Sequence, residues 1–135
     1  MGNAGLNLKG DSMSNSSSGE AKIPGINMET ALTLYDNDME LYTFILRSFV
    51  KNVPGVLKNL HTLSEDKIAE YAISIHSVKG NFGSIGAEEL ASRAKAIEAF
   101  ARAGELSQVQ PLNTPFIADT EDLIKKINAW LPEEE

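Results

Sequence analysis

The chain contains no cysteine, which excludes disulfides, thiolate chemistry and zinc sites built on thiolates. It has only two histidines, and neither lies at helical spacing to a pair of acidic residues, so we expect no metal site. The apolar runs fall short of the roughly 18 residues that a membrane span needs, and no secretory signal opens the sequence. These absences favour a cytoplasmic protein without membrane contact.

Positive charge is also scarce, since 12 Lys and Arg residues face 19 Asp and Glu residues and the formal net charge is -7. Nucleic acids and anionic membranes both require clustered positive charge, so we expect neither as a partner. The 135 residues, of which 42% are hydrophobic and 23% charged, are enough for one domain with a single core.

The composition changes along the chain and predicts three parts. Residues 1–22 are rich in Ser, Gly and Asn and have almost no periodic hydrophobicity, so we expect a flexible leader or linker. The folded domain is predicted over residues 23–131. Residues 132–135 should form a solvated acidic tail, because short runs of like charge are usually exposed.

Within the folded part, apolar residues recur at helical spacing and no stretch alternates with the period of a strand. Asn27 predicts the N-cap of a short first helix, and Asp38 marks the start of a long second one. Pro54 falls inside that second helix and should bend it or split it in two, because proline removes a backbone donor.

The remaining helices are predicted from their end signals. The third runs from about residue 65 to 85 and ends at Gly86, and the fourth runs over residues 87–103. Thr114 and Pro115 predict the N-cap and first position of the last helix. The predicted fold class is all-α, an up-down four-helix bundle with a short extra helix at its N-terminal end.

The third helix carries a histidine on the face opposite its core residues. His76 lies about 120° from the centre of the apolar arc, so it should face solvent. Its neighbours on that surface are small, apart from Lys79 at the edge: Ala69, Ala72, Gly80 and Gly83.

Two glycines inside a helix cost about 1 kcal/mol each relative to alanine, which suggests that they serve a purpose. Small residues allow another protein to approach the imidazole closely, or they allow a neighbouring helix to pack against the stripe. His76 favours the first explanation, because a packed seam would bury a polar ring that needs partners. An imidazole at neutral pH is a nucleophile suited to phosphoryl transfer, and the Lys79 ammonium can stabilise the transferred charge.

The motif H-S-V-K-G over residues 76–80, followed by Gly86, resembles the signature of histidine-phosphotransfer (HPt) domains. Further similarities are the entry segment 23–26, Asp38 opening a long helix, and residues 87–90 opening the fourth helix. The resemblance covers about residues 23–131, and the short motif is specific in its helical context.

The sequence departs from the family pattern at Asn81 and Phe82, where small residues are usual, and at Val78, where leucine is usual. Val78 and Phe82 lie on the core face by helical phase, so neither should obstruct the nucleophile.

The resemblance implies that His76 is the phosphoacceptor, that Lys79 assists with the phosphoryl charge and that Gly80 clears space for it. It also implies receiver domains as partners, whose aspartate donates or accepts the phosphoryl group and which hold the magnesium, so that this domain has no cofactor of its own. It implies no ATP-binding site and no independent enzyme activity. Both a free-standing shuttle and the C-terminal module of a hybrid sensor kinase fit this resemblance, and we expect a monomer.

For docking, we expect the receiver to contact Ile73, Ala72 and Gly83 beside the histidine. Ile73 lies about 60° from His76 on the side away from the core and is the one large apolar side chain there.

Three alternative interpretations of the sequence fit it less well. His61 superficially imitates a phosphoacceptor, but Ser64 and Glu65 replace the lysine and glycine, so an exposed histidine at a helix end is the better interpretation. A kinase dimerisation domain would carry an acidic residue after the histidine, where Ser77 stands. A helical interaction bundle without phosphotransfer activity explains the helices, but it does not explain why the motif residues occur together.

Overall fold

The computed structural model describes residues 22–133, and within them the protein is helical, with no strand. Five helices follow one another: α1 (Met28–Thr33), α2 (Met39–Leu60), α3 (Ile68–Ile85), α4 (Glu88–Arg102) and α5 (Leu106–Trp130). The four long helices form the bundle, in which α3 packs mainly on α4 and α2, and α1 packs on α2 and α3. The predicted fold class is therefore confirmed.

Two predicted caps begin α1 and α2. The side chain of Asn27 accepts a hydrogen bond from the backbone N–H of Thr30 at 3.1 Å. The Asp38 carboxylate accepts one from the N–H of Leu41 at the same distance. Each bond satisfies a donor that the first turn of a helix leaves without a partner, which explains why the two helices begin where they do.

Gly86 ends α3 in the left-handed conformation, with φ of 86°, as the sequence predicted. Its carbonyl accepts a hydrogen bond from the N–H of Asn27 at 2.8 Å, which joins the start of α1 to the end of α3. A Cβ at this position would lie 2.5 Å from the carbonyl oxygen of Asn27. Both the conformation and the close approach therefore require glycine here.

Pro54 does not split α2, which is continuous from Met39 to Leu60. The proline ring lies on the exposed side, where water can satisfy the carbonyl that loses its helical partner. Val53, just before the proline, and Leu57, nearly one turn after it, are buried and hold the two halves of the helix in the core.

The expected start of the last helix at Thr114 and Pro115 is wrong, because α5 begins at Leu106 and continues through Pro111 and Pro115. Both prolines are exposed, and the residues between and beside them pack in the core at helical spacing. Burying large apolar side chains stabilises by about 1.5–3 kcal/mol each, which offsets the roughly 3 kcal/mol that an internal proline costs. The buried residues of this stretch are Val109, Asn113, Phe116 and Ile117.

The third helix begins three residues later than expected, at Ile68, with Lys67 as its N-cap. Almost all of the predicted leader, residues 1–21, lies outside the described residues, as do positions 134 and 135 of the predicted tail. In the described part of the chain, no helix combines the length and the apolar character needed to cross a membrane.

Candidate functional site

His76 lies midway along α3, and 59% of its side chain is exposed. The opposite face of the helix is buried, as its periodicity predicted, through Tyr71, Ile75, Val78, Phe82 and Ile85. The Phe82 ring packs between the rings of Phe49 and Phe116, with centroids 5.7 and 5.8 Å away. Phe82 is therefore part of the core and does not approach the histidine, which agrees with its helical phase.

The glycines beside His76 face open space. Gly80 and Gly83 are both exposed, and a Cβ built on either would meet no atom within 4 Å outside the backbone of its own helix. No neighbouring helix packs against them, so the surface is open to an approaching molecule. The sequence allowed two explanations for the small residues around His76, packing of a neighbouring helix or close approach of another protein. The open space at both glycines favours close approach of another protein.

Ala72 is buried, with 4% of its surface exposed, so its expected place on the open surface is wrong. It shares the side of α3 with Lys79, seven residues later, and that side faces α4. Burial on this side of the helix makes Ala72 inaccessible to a partner. Ile73 is 67% exposed, and the structure places it beside the histidine surface as expected.

The structure adds a residue that the sequence analysis did not single out. Glu98 of α4 is 6% exposed, and its carboxylate faces α3. One oxygen, Oε2, lies 2.9 Å from Nδ1 of His76 and accepts from Nε of Arg102 at 2.7 Å. The other, Oε1, lies 2.7 Å from Nζ of Lys79. The histidine and both cations therefore share a single buried carboxylate.

These contacts fix the protonation of Glu98. Burial opposes its ionisation, but hydrogen bonds from Lys79, Arg102 and His76 outweigh burial and lower the pKa of Glu98 to about 2. An ionised carboxylate can only accept hydrogen bonds, so Nδ1 of His76 carries the hydrogen. The lone pair of the neutral imidazole is then on Nε2, the ring nitrogen that does not face Glu98.

A sequence signal for Glu98 exists. The apolar stripe of α4 contains Leu90, Ala94, Ile97 and Ala101, and a carboxylate four residues after Ala94 lies at the edge of that stripe. A charged group at such a position requires partners from a neighbouring helix, because burial without them is costly. Which helix supplies the partners depends on the packing of α4 on α3, and the sequence alone does not give that packing.

Arg102 also has a role that its position in the sequence did not suggest. The sequence places it in the last turn of α4, where a cation interacts favourably with the helix dipole. The structure directs its guanidinium to Glu98, four residues earlier on the same helix.

The second histidine is not part of this cluster. His61 is the exposed C-cap residue of α2, as expected for a histidine at a helix end. Within residues 22–133, no three histidine, aspartate or glutamate side chains converge as metal ligands would.

Comparison with known families gave one result. A family model described as the Hpt domain matches residues 45–130, which make up most of the chain and include His76, Lys79, Glu98 and Arg102. Searches of curated proteins and of solved structures returned no match.

Proposed function

Because the chain belongs to the Hpt domain family, whose members are phosphotransfer intermediates in two-component signalling, we propose that His76 carries the phosphoryl group. The observation that carries this proposal is the contact between Nδ1 of His76 and the buried Glu98 carboxylate at 2.9 Å. It leaves Nε2 as the nucleophile on a surface that is open to a partner.

In the proposed transfer of the phosphoryl group to His76, no proton has to leave the domain. Nε2 of neutral His76 attacks the phosphorus of an aspartyl phosphate, the N–P bond forms, and the P–O bond to the aspartate breaks. The aspartate leaves as a carboxylate, and the imidazole ring gains positive charge. Glu98 stabilises that charge through the Nδ1 hydrogen, which remains on the ring.

Lys79 and Gly80 have distinct parts in this proposal. Nζ of Lys79 forms an ion pair with Glu98. Because the Lys79 side chain is 31% exposed and flexible, its ammonium can turn towards phosphoryl oxygens. Gly80 lies one turn after His76 and presents no side chain to an incoming phosphoryl group. Both residues therefore act on the charge and the space around the phosphorus rather than on the bond that forms.

Hpt domains interact with receiver domains, and we assign to the receiver the parts of the reaction that this chain does not supply. These are the aspartate that donates the phosphoryl group, the aspartate that takes it in the next step, and the magnesium ion. Ile73, with Gly83 beside the histidine, is the proposed docking contact on this side. A receiver pairs only transiently, so a small interface with a few apolar anchors is sufficient.

The test is incubation of the domain with a phosphorylated receiver, followed by detection of acid-labile, base-stable phosphate on the domain. His76→Gln should keep its helicity and melting temperature, since the side chain is on the surface, and should accept no phosphate. His61→Gln is the matched control, because it removes the other histidine from an exposed position, and it should accept phosphate as the unmodified domain does.

Two outcomes would contradict the proposal. Loss of transfer in His61→Gln, with transfer intact in His76→Gln, would place the acceptor on α2. A folded domain that takes phosphate from no receiver would instead be a helical interaction bundle, the alternative that the sequence left open.

A further inference from the structure

Arg102 is the second cation of the cluster around His76, and neither the sequence motif nor the transfer step above gives it a part. Its Nε donates to Glu98 Oε2, the same oxygen that His76 Nδ1 contacts. Because these contacts are 2.7 and 2.9 Å long, the two nitrogens lie within about 6 Å of each other. A guanidinium is thus held beside the ring that becomes phosphorylated.

The Arg102 side chain is also available. The side chain is 56% exposed. Of the nitrogens of its guanidinium, only Nε has a partner among the described residues, the carboxylate of Glu98. A guanidinium has five N–H donors, so four are left for another acceptor, and its planar fork matches the geometry of phosphate oxygens. Lys79 offers a single compact ammonium from the other side of the carboxylate.

We infer that Arg102 is a phosphoryl-binding residue. While His76 is unphosphorylated, Glu98 holds the guanidinium in place. Once the N–P bond has formed, the guanidinium turns to the phosphoryl oxygens. This inference rests on the proposed function of His76. Before phosphorylation, one carboxylate has three donors. Phosphorylation adds about two negative charges on the other side of the ring, and these compete with Glu98 for both cations.

The phosphoryl group itself reports on the contact. A neighbouring positive charge favours the dianion and lowers the second pKa of a phosphoryl group. That pKa can be measured from the phosphorus-31 NMR shift of phosphohistidine as a function of pH. A residue that only supports the fold would not change it.

Phosphoramidate supplies the phosphoryl group in this test without a receiver: its own P–N bond breaks, ammonia leaves, and the new N–P bond forms on the imidazole. We expect Arg102→Gln to raise the phosphoryl pKa by about half to one unit relative to the unmodified domain. Arg102→Lys, which keeps the charge, should restore most of the difference. Arg93→Gln is the matched control, because it removes an arginine of the same helix that pairs with Asp119 at 2.8 Å, and it should leave the value unchanged.

An unchanged phosphoryl pKa in Arg102→Gln would overturn the inference. So would a rise that Arg102→Lys does not reverse, because that would reflect disturbed geometry around Glu98 rather than a lost charge. Receiver-dependent transfer is measured separately on the same proteins. Its failure would refute the proposed function while the phosphoramidate-labelled domain still reported on Arg102, so the two failures are distinguishable.

Discussion

Tyr71 of α3 donates its phenolic hydrogen to Asn113 of α5 across 2.7 Å, and the amide of Asn113 donates in turn to the backbone carbonyl of Leu60 at 2.8 Å. Both bonds are buried, and they join three helices on the side of α3 that faces away from His76. Burial raises the pKa of Tyr71, so the phenol stays protonated and remains a donor. The network therefore holds the end of α2 against α3 and α5.

The first prediction follows from this network. Asn113→Ala should lower the free energy of unfolding by about 2–4 kcal/mol, because it leaves a buried hydroxyl and a buried carbonyl without partners. Asn128→Ala removes an exposed asparagine from the same helix and should stay within about 0.5 kcal/mol of the unmodified domain. Denaturant titration measures both, and equal effects of the two substitutions would contradict the importance of the network.

The second prediction separates helix propensity from access to the site. Gly80→Ala should raise the free energy of unfolding by up to about 1 kcal/mol, since its methyl group meets no neighbour. The same methyl should slow phosphoryl transfer by obstructing the approach to His76. Gly55→Ala is the matched control, because Gly55 is also an open position within a helix, and it should stabilise the domain without slowing transfer.

The melting temperature and the transfer rate of both glycine variants test whether the surface at Gly80 is open and whether transfer uses that space. A destabilised Gly80→Ala would mean that the added methyl meets a neighbour and overpacks the surface. Equal transfer rates in the two variants would show that the approach to His76 does not depend on the open space at Gly80.

The third prediction concerns acid. Because the folded-state pKa of Glu98 is lowered to about 2, below the value of about 4.3 for an ordinary glutamate, its contribution to stability is present above the unfolded pKa and is lost as pH falls towards 2. The free energy of unfolding of the domain minus that of Glu98→Gln should therefore decrease between about pH 5 and pH 2, by up to about 3 kcal/mol. Denaturant titrations of both proteins at a series of pH values measure this, and parallel pH profiles would refute it.

The fourth prediction concerns docking. Ile73→Asp should weaken receiver binding markedly and leave the melting temperature nearly unchanged, because the side chain is 67% exposed. Leu112→Asp provides a control, since it places the same charge at an exposed leucine of α5. Titration with an unlabelled receiver, followed by amide shifts, should perturb Ile73, His76 and Gly80. Shifts confined to α4 and α5 would place the interface elsewhere.

The parts of the fold that depend on local signals could be predicted from the sequence. Asn27 and Asp38 begin helices because their side chains satisfy nearby donors, and Gly86 ends one because of its backbone conformation. The outward direction of His76 also follows from helical rotation alone.

Features that depend on packing between helices could not be predicted in this way. Thr114 and Pro115 carry strong signals for a helix start, yet α5 begins at Leu106 and continues through Pro111 and Pro115 because its buried face is held by the rest of the core. Ala72 looks like a surface residue by size and phase, yet it is buried once the helices have packed together. Glu98 is 22 positions from His76, so its contact exists only once α3 and α4 have packed together.

The shared carboxylate also affects the charge that the site presents to its partner. With a neutral ring, the cluster of Glu98, Lys79, Arg102 and His76 has one more positive than negative charge. A phosphoryl group with about two negative charges on a ring that keeps its Nδ1 hydrogen brings the total close to zero. The local attraction of this cluster to a carboxylate at a partner's docking surface should thus be stronger for the unphosphorylated domain than for the phosphorylated one, and added salt should weaken that attraction more in the unphosphorylated form.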